Sequence, residues 1–233
     1  MRWEVPAWVR WGVSILIFSG FVYWVEKEYR WINMLAVWRT LNLKDLFMAF
    51  FLIGLGYISR AARIYYYFRH ASLNRFPLLM RIVLWHNFFN NLLPMRSGEA
   101  AFPLLMQKYV SIPARDSIPA LLWFRFLDLL FLVALSGIAF DLDRTAPIFK
   151  GAGVFLALLA FVLALTARRW ILNWLAHRPA GGFKLLQRLI GAIPENRAIL
   201  AHSVLWTIVT WSVKLLAFSW LLMKFAGISW PVA

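Results

Sequence analysis

The sequence predicts an all-α, polytopic integral membrane protein, a helical bundle that contains a re-entrant helical hairpin. Three observations lead to this class. The 233 residues are 62% hydrophobic and 15% charged, whereas a soluble domain is roughly half apolar and about a quarter charged. Apolar runs of about twenty residues, the length of a membrane-crossing helix, recur along the chain. A polar segment at 88–99, with a proline and a glycine, lies between two short apolar runs.

Five apolar runs are predicted to cross the membrane within a single transmembrane domain, 1–233. They are 8–25, 46–68, 118–140, 148–167 and 200–223. The first run has Arg2 and Arg10 near its start and no small-residue cleavage site after it. We therefore interpret it as an uncleaved anchor helix rather than a signal peptide.

The segment 82–110, between the second and third spans, is the predicted re-entrant hairpin. Its halves, 82–93 and 98–110, rise about 1.5 Å per residue and fall short of a ~30 Å hydrocarbon core. Pro94 should end the first half, and Pro103 should kink the second. Irregular backbone at membrane depth requires surrounding protein or a wet cavity. The alternative is a pair of short helices that lie in the interface.

Basic residues indicate the orientation, because cytoplasmic loops are enriched in them. The segment 168–199 carries five arginines and a lysine among apolar residues at helical spacing, with a break at Ala180-Gly181-Gly182. We expect a cytoplasmic pair of amphipathic helices there, or an ordinary connecting pair. The N-terminus would then be cytoplasmic, in a bacterial inner membrane. The four basic residues of 26–45, which would lie outside, argue against this orientation.

Charged residues inside the predicted spans are costly and therefore candidates for function. Arg60 and Arg63 share one face of the second span, and Arg125 and Asp128 share one face of the third. Arg60 and Asp128 fall at similar depths, about 12 and 15 Å from the inner boundary. We predict that Asp128 pairs with Arg60, Arg63 or Arg125. Such a pair can also serve only to join two helices, and Arg63 can alternatively extend to the headgroups.

The last span carries a stripe of polar residues on one helical face. The stripe consists of Ser203, Thr207, Thr210 and Lys214, with Trp211 beside it. We expect Thr207, Thr210, Trp211 and Lys214 to line a cavity, because polar groups in a span face protein or water. Hydrogen bonding between helices is the alternative.

The turn of the hairpin is the predicted headgroup site. Ser97 suits the N-cap of the second half-helix and Glu99 suits its first turn. Free backbone amides there, with Arg96 beside them, would bind an anion such as a lipid phosphate. The predicted site comprises Asn90, Asn91, Pro94, Arg96, Ser97, Gly98 and Glu99. Alternatively, Glu99 neutralises Arg96, and the motif only stabilises the turn.

The stretch Asn91-Leu92-Leu93-Pro94-Met95-Arg96-Ser97-Gly98-Glu99 resembles a motif of the flippase-like membrane domain of lysylphosphatidylglycerol synthases. Arg60 with Arg63, and Arg125-x-x-Asp128, are similar to further elements of that family, so the resemblance covers about 45–220. The resemblance implies handling of phospholipids or polyprenyl lipids.

This chain departs from the family pattern at three places. Phe124 stands where the family often has Glu, and Phe102-Pro103 where many members carry a basic residue. The family's membrane unit usually continues with further helices, whereas this sequence stops at Ala233, so we expect a short member or a fragment. Because the sequence contains no soluble aminoacyl-transferase domain, the chain alone should not make a lysyl lipid.

The favoured function is lipid binding and translocation of an anionic phospholipid or a polyprenyl-linked lipid. The alternatives are a non-transporting subunit of a lipid-modifying complex and a membrane enzyme that acts on lipid headgroups. There are no cysteines, the four histidines lack ligand spacing, and no paired-carboxylate motif is present. We therefore predict neither a cofactor nor a metal site, and no catalytic residues. Membrane lipids are the expected partners, with a lipid-modifying enzyme as a further one and no nucleic acid. The oligomeric state is left open.

Overall fold

The structure is a computed structural model that describes residues 7–38, 41–93, 98–142, 151–177 and 184–226. These residues are mostly helical and contain no β-strand, which confirms the all-α class. Their helices, in chain order, are α1 (Ala7–Tyr29), α2 (Trp31–Trp38), α3 (Leu43–Tyr67), α4 (Arg69–Ser72), α5 (Phe76–Leu92), α6 (Ala101–Val110), α7 (Ala114–Leu142), α8 (Ala152–Ala176), α9 (Lys184–Gly191) and α10 (Arg197–Ala226).

Four of these helices contain segments long and apolar enough to cross a membrane: Leu43–Tyr67, Ala114–Ile138, Ala152–Leu175 and Arg197–Phe225. They overlap the second to fifth predicted spans. The α1 helix coincides with the first predicted span, at 8–25, which stays a prediction.

The chain forms two compact units, 1–50 with 219–233, and 51–218. In the first unit the Asp45 carboxylate accepts the backbone N–H of Asn42, 3.1 Å away, at the start of α3. The same carboxylate pairs with the Lys224 ammonium at 2.9 Å. The first contact satisfies an otherwise free N–H at the helix start, and the second compensates the charge of the carboxylate.

The second unit contains the main hydrophobic core, built around α5, α6 and α7. The short helix α6 buries Phe102, Met106 and Val110, which recur every four residues along one face. They pack in one cluster with residues such as Ile82 of α5 and Trp123 of α7. A ten-residue helix is therefore held by its apolar stripe rather than by its own length.

The two helices of the predicted hairpin, α5 and α6, have different bounds from those predicted, and their re-entry into the membrane stays a prediction. The first helix begins at Phe76, with Pro77 in its first turn, and not at residue 82. A 3₁₀ turn at 98–100 precedes α6. Pro103 is the third residue of α6, where an N–H has no partner within the helix. The prediction of a kink assumed that Pro103 lies in the interior of the helix, whereas the structure has it in the first turn.

The segment 168–199 also differs from the prediction. Residues 168–176 continue α8 without a break, so the prediction of a separate amphipathic helix there is wrong. No glycine or proline interrupts this stretch, which favours continuation of the helix. The Arg168 guanidinium pairs with the Glu195 carboxylate at 2.8 Å. Ala180-Gly181-Gly182 lies outside the described residues, and a cytoplasmic location for 168–199 stays a prediction.

Helices α7 and α8 pack closely against each other at two glycines, Gly137 and Gly153. A Cβ atom on Gly137 would lie 2.6 Å from the Gly153 Cα, and one on Gly153 would press on the Val133 carbonyl oxygen. Real side chains do not tolerate such distances. The pair therefore lets the two backbones approach closely, as small residues do in membrane helix packing.

Candidate functional site: a cationic cavity

A cavity of about 470 Å³ lies in the second unit, among α3, α5, α7 and α10. This volume falls within the range of about 300–1,000 Å³ that holds small ligands. Apolar side chains such as Val83 and Phe124 form part of its wall. Its polar wall residues are Arg60, Arg63, His86, Asn87, Asn90, Asn91, Arg125, Asp128, Thr210, Trp211 and Lys214.

Arg63 and Asp128 form the most buried ion pair of the cavity. Arg63 Nη1 lies 2.7 Å from Asp128 Oδ1, and the two side chains are 9% and 13% exposed. Arg63 Nη1 also donates to Thr207 Oγ1 at 2.9 Å, and Trp211 Nε1 donates to Asp128 Oδ1 at 3.1 Å. The expected pairing of Asp128 with an arginine is thus present, and the nearer partner is Arg63. Each charge thus has a counter-charge and a further hydrogen bond, as burial requires, although the buried Arg63 Nε has no partner among the described residues.

A second bridge joins the hairpin to α7. Arg125 Nη2 lies 2.7 Å from Glu99 Oε1, and its Nη1 lies 3.8 Å from Asp128 Oδ2. The Arg125 and Glu99 side chains are 41% and 30% exposed. Because Glu99 belongs to the 3₁₀ turn before α6, this bridge ties the start of the second half-helix to α7.

Arg60, one turn before Arg63 on α3, is held more weakly. Its Nη1 donates to Asn87 Oδ1 at 3.4 Å, and Asn87 Nδ2 donates to the Tyr57 hydroxyl at 2.6 Å. Within the described ranges, Arg60 forms no ion pair with a carboxylate. Its charge is therefore available to an anion that enters the cavity.

The polar stripe of α10 divides between two roles. Thr210, Trp211 and Lys214 line the cavity, whereas Thr207 does not and instead accepts the Arg63 hydrogen bond. Thr210 Oγ1 also donates to Ser59 Oγ at 2.9 Å, a contact between α10 and α3. The Lys214 ammonium lies 4.4 Å from the centroid of the Trp211 ring.

The predicted headgroup residues of the hairpin are only partly described. Asn90 and Asn91 line the cavity. Gly98 is buried, and a Cβ atom there would overlap the backbone of Phe89 and Asn90. Pro94, Arg96 and Ser97 lie outside the described residues, so the anion site proposed at Arg96 stays a prediction. The requirement for glycine at position 98 follows from the close approach of the second half-helix to α5.

Three residues at or beside the cavity were not predicted from the sequence: Asn87, His86 and Tyr57. Asn87 precedes Asn90 and Asn91 by three and four residues, so the helical period alone places the three amides on one face. His86 Nε2 and Asn90 Oδ1 are buried and have no hydrogen-bond partner among the described residues. Tyr57 gave no local signal, because its role depends on how α3 meets α5.

This fold and site define a multi-pass membrane protein with a cationic cavity among its helices. The chain belongs to the family described as the lysylphosphatidylglycerol synthase TM region, whose model matches residues 11–233. The resemblance that the hairpin motif indicated is therefore confirmed. Neither the curated proteins nor the solved structures include a match to this chain.

Two departures from the family pattern now have structural roles. Phe124 is buried, and its ring centroid lies 4.8 Å from Arg63 Cζ, so an aromatic face meets the cation at this position. Phe102 is 1% exposed and borders the cavity, and Pro103 is buried in the first turn of α6. Apolar residues therefore complete the wall at both positions.

Proposed function

We propose that this protein binds the headgroup of an anionic phospholipid or polyprenyl-linked lipid in the cavity and moves the lipid across a bacterial inner membrane. One observation carries the proposal: four cationic side chains line a cavity that α5 forms together with three helices of membrane-crossing length, α3, α7 and α10. Ionisable groups at such depth are rare, and they mark substrate pathways.

The chemistry of the wall suits a phosphate. Arginine presents a planar fork of donors that matches phosphate oxygens, and such charge-assisted hydrogen bonds are among the strongest in proteins. The amides of Asn87, Asn90 and Asn91 can donate to or accept from the remainder of a headgroup. In this mechanism the headgroup follows the polar wall while its acyl chains stay in the bilayer.

The outer surface of the bundle suits those acyl chains. On α8, Phe155, Leu156 and Leu158 are more than half exposed. Exposed apolar side chains on a helix of this length and hydropathy favour contact with lipid. The polar and apolar parts of a lipid thus each have a matching surface.

A translocation assay tests the proposal. Proteoliposomes carry a fluorescent phosphatidylglycerol, and the fraction reached by a membrane-impermeant quencher reports its exchange between leaflets. We expect protein-dependent exchange, and its loss in the double variant Arg60→Gln, Arg125→Gln. The control is Arg115→Gln, since the Arg115 side chain is 66% exposed and is not a wall residue. Wild-type exchange in a folded double variant would contradict translocation through this cavity.

The family assignment favours a second candidate, because the family is described as the membrane region of a synthase. In that case the cavity presents lipid to an enzyme and does not transport it. Retention of lipid without exchange between leaflets, together with co-purification of a lipid-modifying enzyme, would support this candidate over the first.

A further inference from the structure

The two ion pairs of the cavity differ in how firmly their partners are held. Arg63 and Asp128 are almost fully buried, and Thr207 and Trp211 add two hydrogen bonds to them. Arg125 and Glu99 are about one-third exposed or more, and among the residues that the structure describes the polar partner of Glu99 is Arg125. An incoming anion should therefore displace the carboxylate partner of Arg125 much more easily than that of Arg63.

Arg125 also faces both the cavity and the hairpin. It is a wall residue, whereas Glu99 is not, so Arg125 reaches from the wall to the 3₁₀ turn at 98–100. A phosphate in the cavity offers Arg125 the same charge-assisted hydrogen bonds that the Glu99 carboxylate now provides. The two anions would compete for one guanidinium, because a carboxylate and a phosphate beside each other repel.

We infer that Glu99 is an exchangeable counter-ion which the headgroup phosphate replaces on Arg125, and that this exchange releases the 3₁₀ turn at 98–100, and with it the start of the second hairpin helix, from α7. The inference rests on the proposed function. Glu99 then sets the affinity of the cavity for anionic headgroups. It keeps Arg125 neutralised while the cavity holds no lipid, and its release couples entry of a headgroup to movement of the hairpin.

Competition predicts a gain of affinity when the native counter-ion is removed. In Glu99→Gln, a phosphate no longer displaces a charged partner from Arg125. We expect phosphatidylglycerol to bind about tenfold more tightly. This factor corresponds to the lower end of the range of free energies for one hydrogen bond to a charged group. Native mass spectrometry of the purified protein, with phosphatidylglycerol and phosphatidylcholine of identical acyl chains, measures the change.

The matched control is Glu195→Gln, which removes the 2.8 Å bridge to Arg168, a residue outside the cavity wall. Its preference for phosphatidylglycerol should equal that of the wild type. An unchanged or weaker preference in Glu99→Gln would overturn the inference, since a carboxylate that only positions Arg125 would cause a loss. A wild type that binds both lipids equally would instead contradict the proposed function.

A distance measurement tests the release of the hairpin independently of affinity. The chain has no cysteine, so spin labels can be placed at Leu92→Cys and Leu122→Cys, both exposed and outside the cavity wall. Phosphatidylglycerol should lengthen the distance between the labels, and Glu99→Gln should lengthen it without lipid. An unchanged distance in both cases would overturn the release of the hairpin. The same response to millimolar inorganic phosphate would show that a free anion, and not a lipid, is the occupant.

Discussion

Helix α7 is held to its neighbours in two different ways on two of its faces. Toward α3 it presents Asp128, which meets Arg63 in a network of charged and polar side chains. Toward α8 it presents Gly137, where the absence of a side chain lets two backbones meet. Small residues and interhelical hydrogen bonds both stabilise helices in membranes, but only the first face leaves charge beside a cavity. The difference separates packing that serves the fold alone from packing that also provides a binding surface.

The largest expected effect comes from removing the carboxylate on the polar face. Asp128→Ala leaves Arg63 buried without its counter-charge, which costs about 3–5 kcal/mol. Unfolding in mixed detergent micelles, followed by circular dichroism, measures the loss. The double variant Arg63→Met, Asp128→Ala should recover most of it, because neither charge then remains. Equal losses in the single and double variants would show that the ion pair itself is not what stabilises this face.

A smaller loss is expected on the apolar face. Gly137→Ala places a methyl group where the Gly153 backbone now lies, and overpacking of this kind costs about 1–3 kcal/mol. The same unfolding measurement applies. Gly54→Ala is the matched control, since nothing lies within 4 Å of a Cβ atom there. It should be neutral or slightly stabilising, because alanine favours the helix over glycine by about 0.5–1 kcal/mol. Similar results for the two variants would contradict a close α7–α8 contact at Gly137.

Hydropathy predicted the four spans that the structure supports, because length and apolar content are properties of each segment alone. It misplaced the start of α5, where Pro77 is a helix-start signal that hydropathy does not record. It also misplaced the end of α8, where no glycine or proline ends the helix after the apolar run. Helical spacing narrowed the partner of Asp128 to three arginines. The choice of Arg63 depends on how α3, α7 and α10 are rotated, which brings Thr207 and Trp211 to the same pair. The contacts of Asn87 and Gly137 are tertiary in the same sense, so no local pattern could identify their partners.

The hydrogen bond between Thr210 and Ser59 contributes less than either face of α7. Thr210→Val keeps the shape of the side chain and removes the donor to Ser59 Oγ. A polar contact between membrane helices is worth about 0.6 kcal/mol on average. A double-mutant cycle with Ser59→Ala isolates the coupling from the loss of either side chain's other contacts. A coupling free energy near zero would indicate that the polar stripe of α10 serves the cavity and does not stabilise the contact between α3 and α10.

Arg60 should have the smallest effect on stability, although it is one helical turn from Arg63. Its single hydrogen bond within the described chain is 3.4 Å long, and it lacks the carboxylate that Arg63 has. Arg60→Gln loses this one long hydrogen bond, but a neutral amide is also less costly to bury than a charge without a counter-ion. Because the two effects oppose each other, the free energy of unfolding should change by less than about 0.5 kcal/mol. Arg63→Gln should lose several times more, because it leaves Asp128 without its closest cation. Lipid retention should show the reverse order, with the greater loss in Arg60→Gln. If Arg60→Gln instead destabilises the protein as strongly as Arg63→Gln, both arginines serve the fold, and Arg60 is not the residue that receives the headgroup.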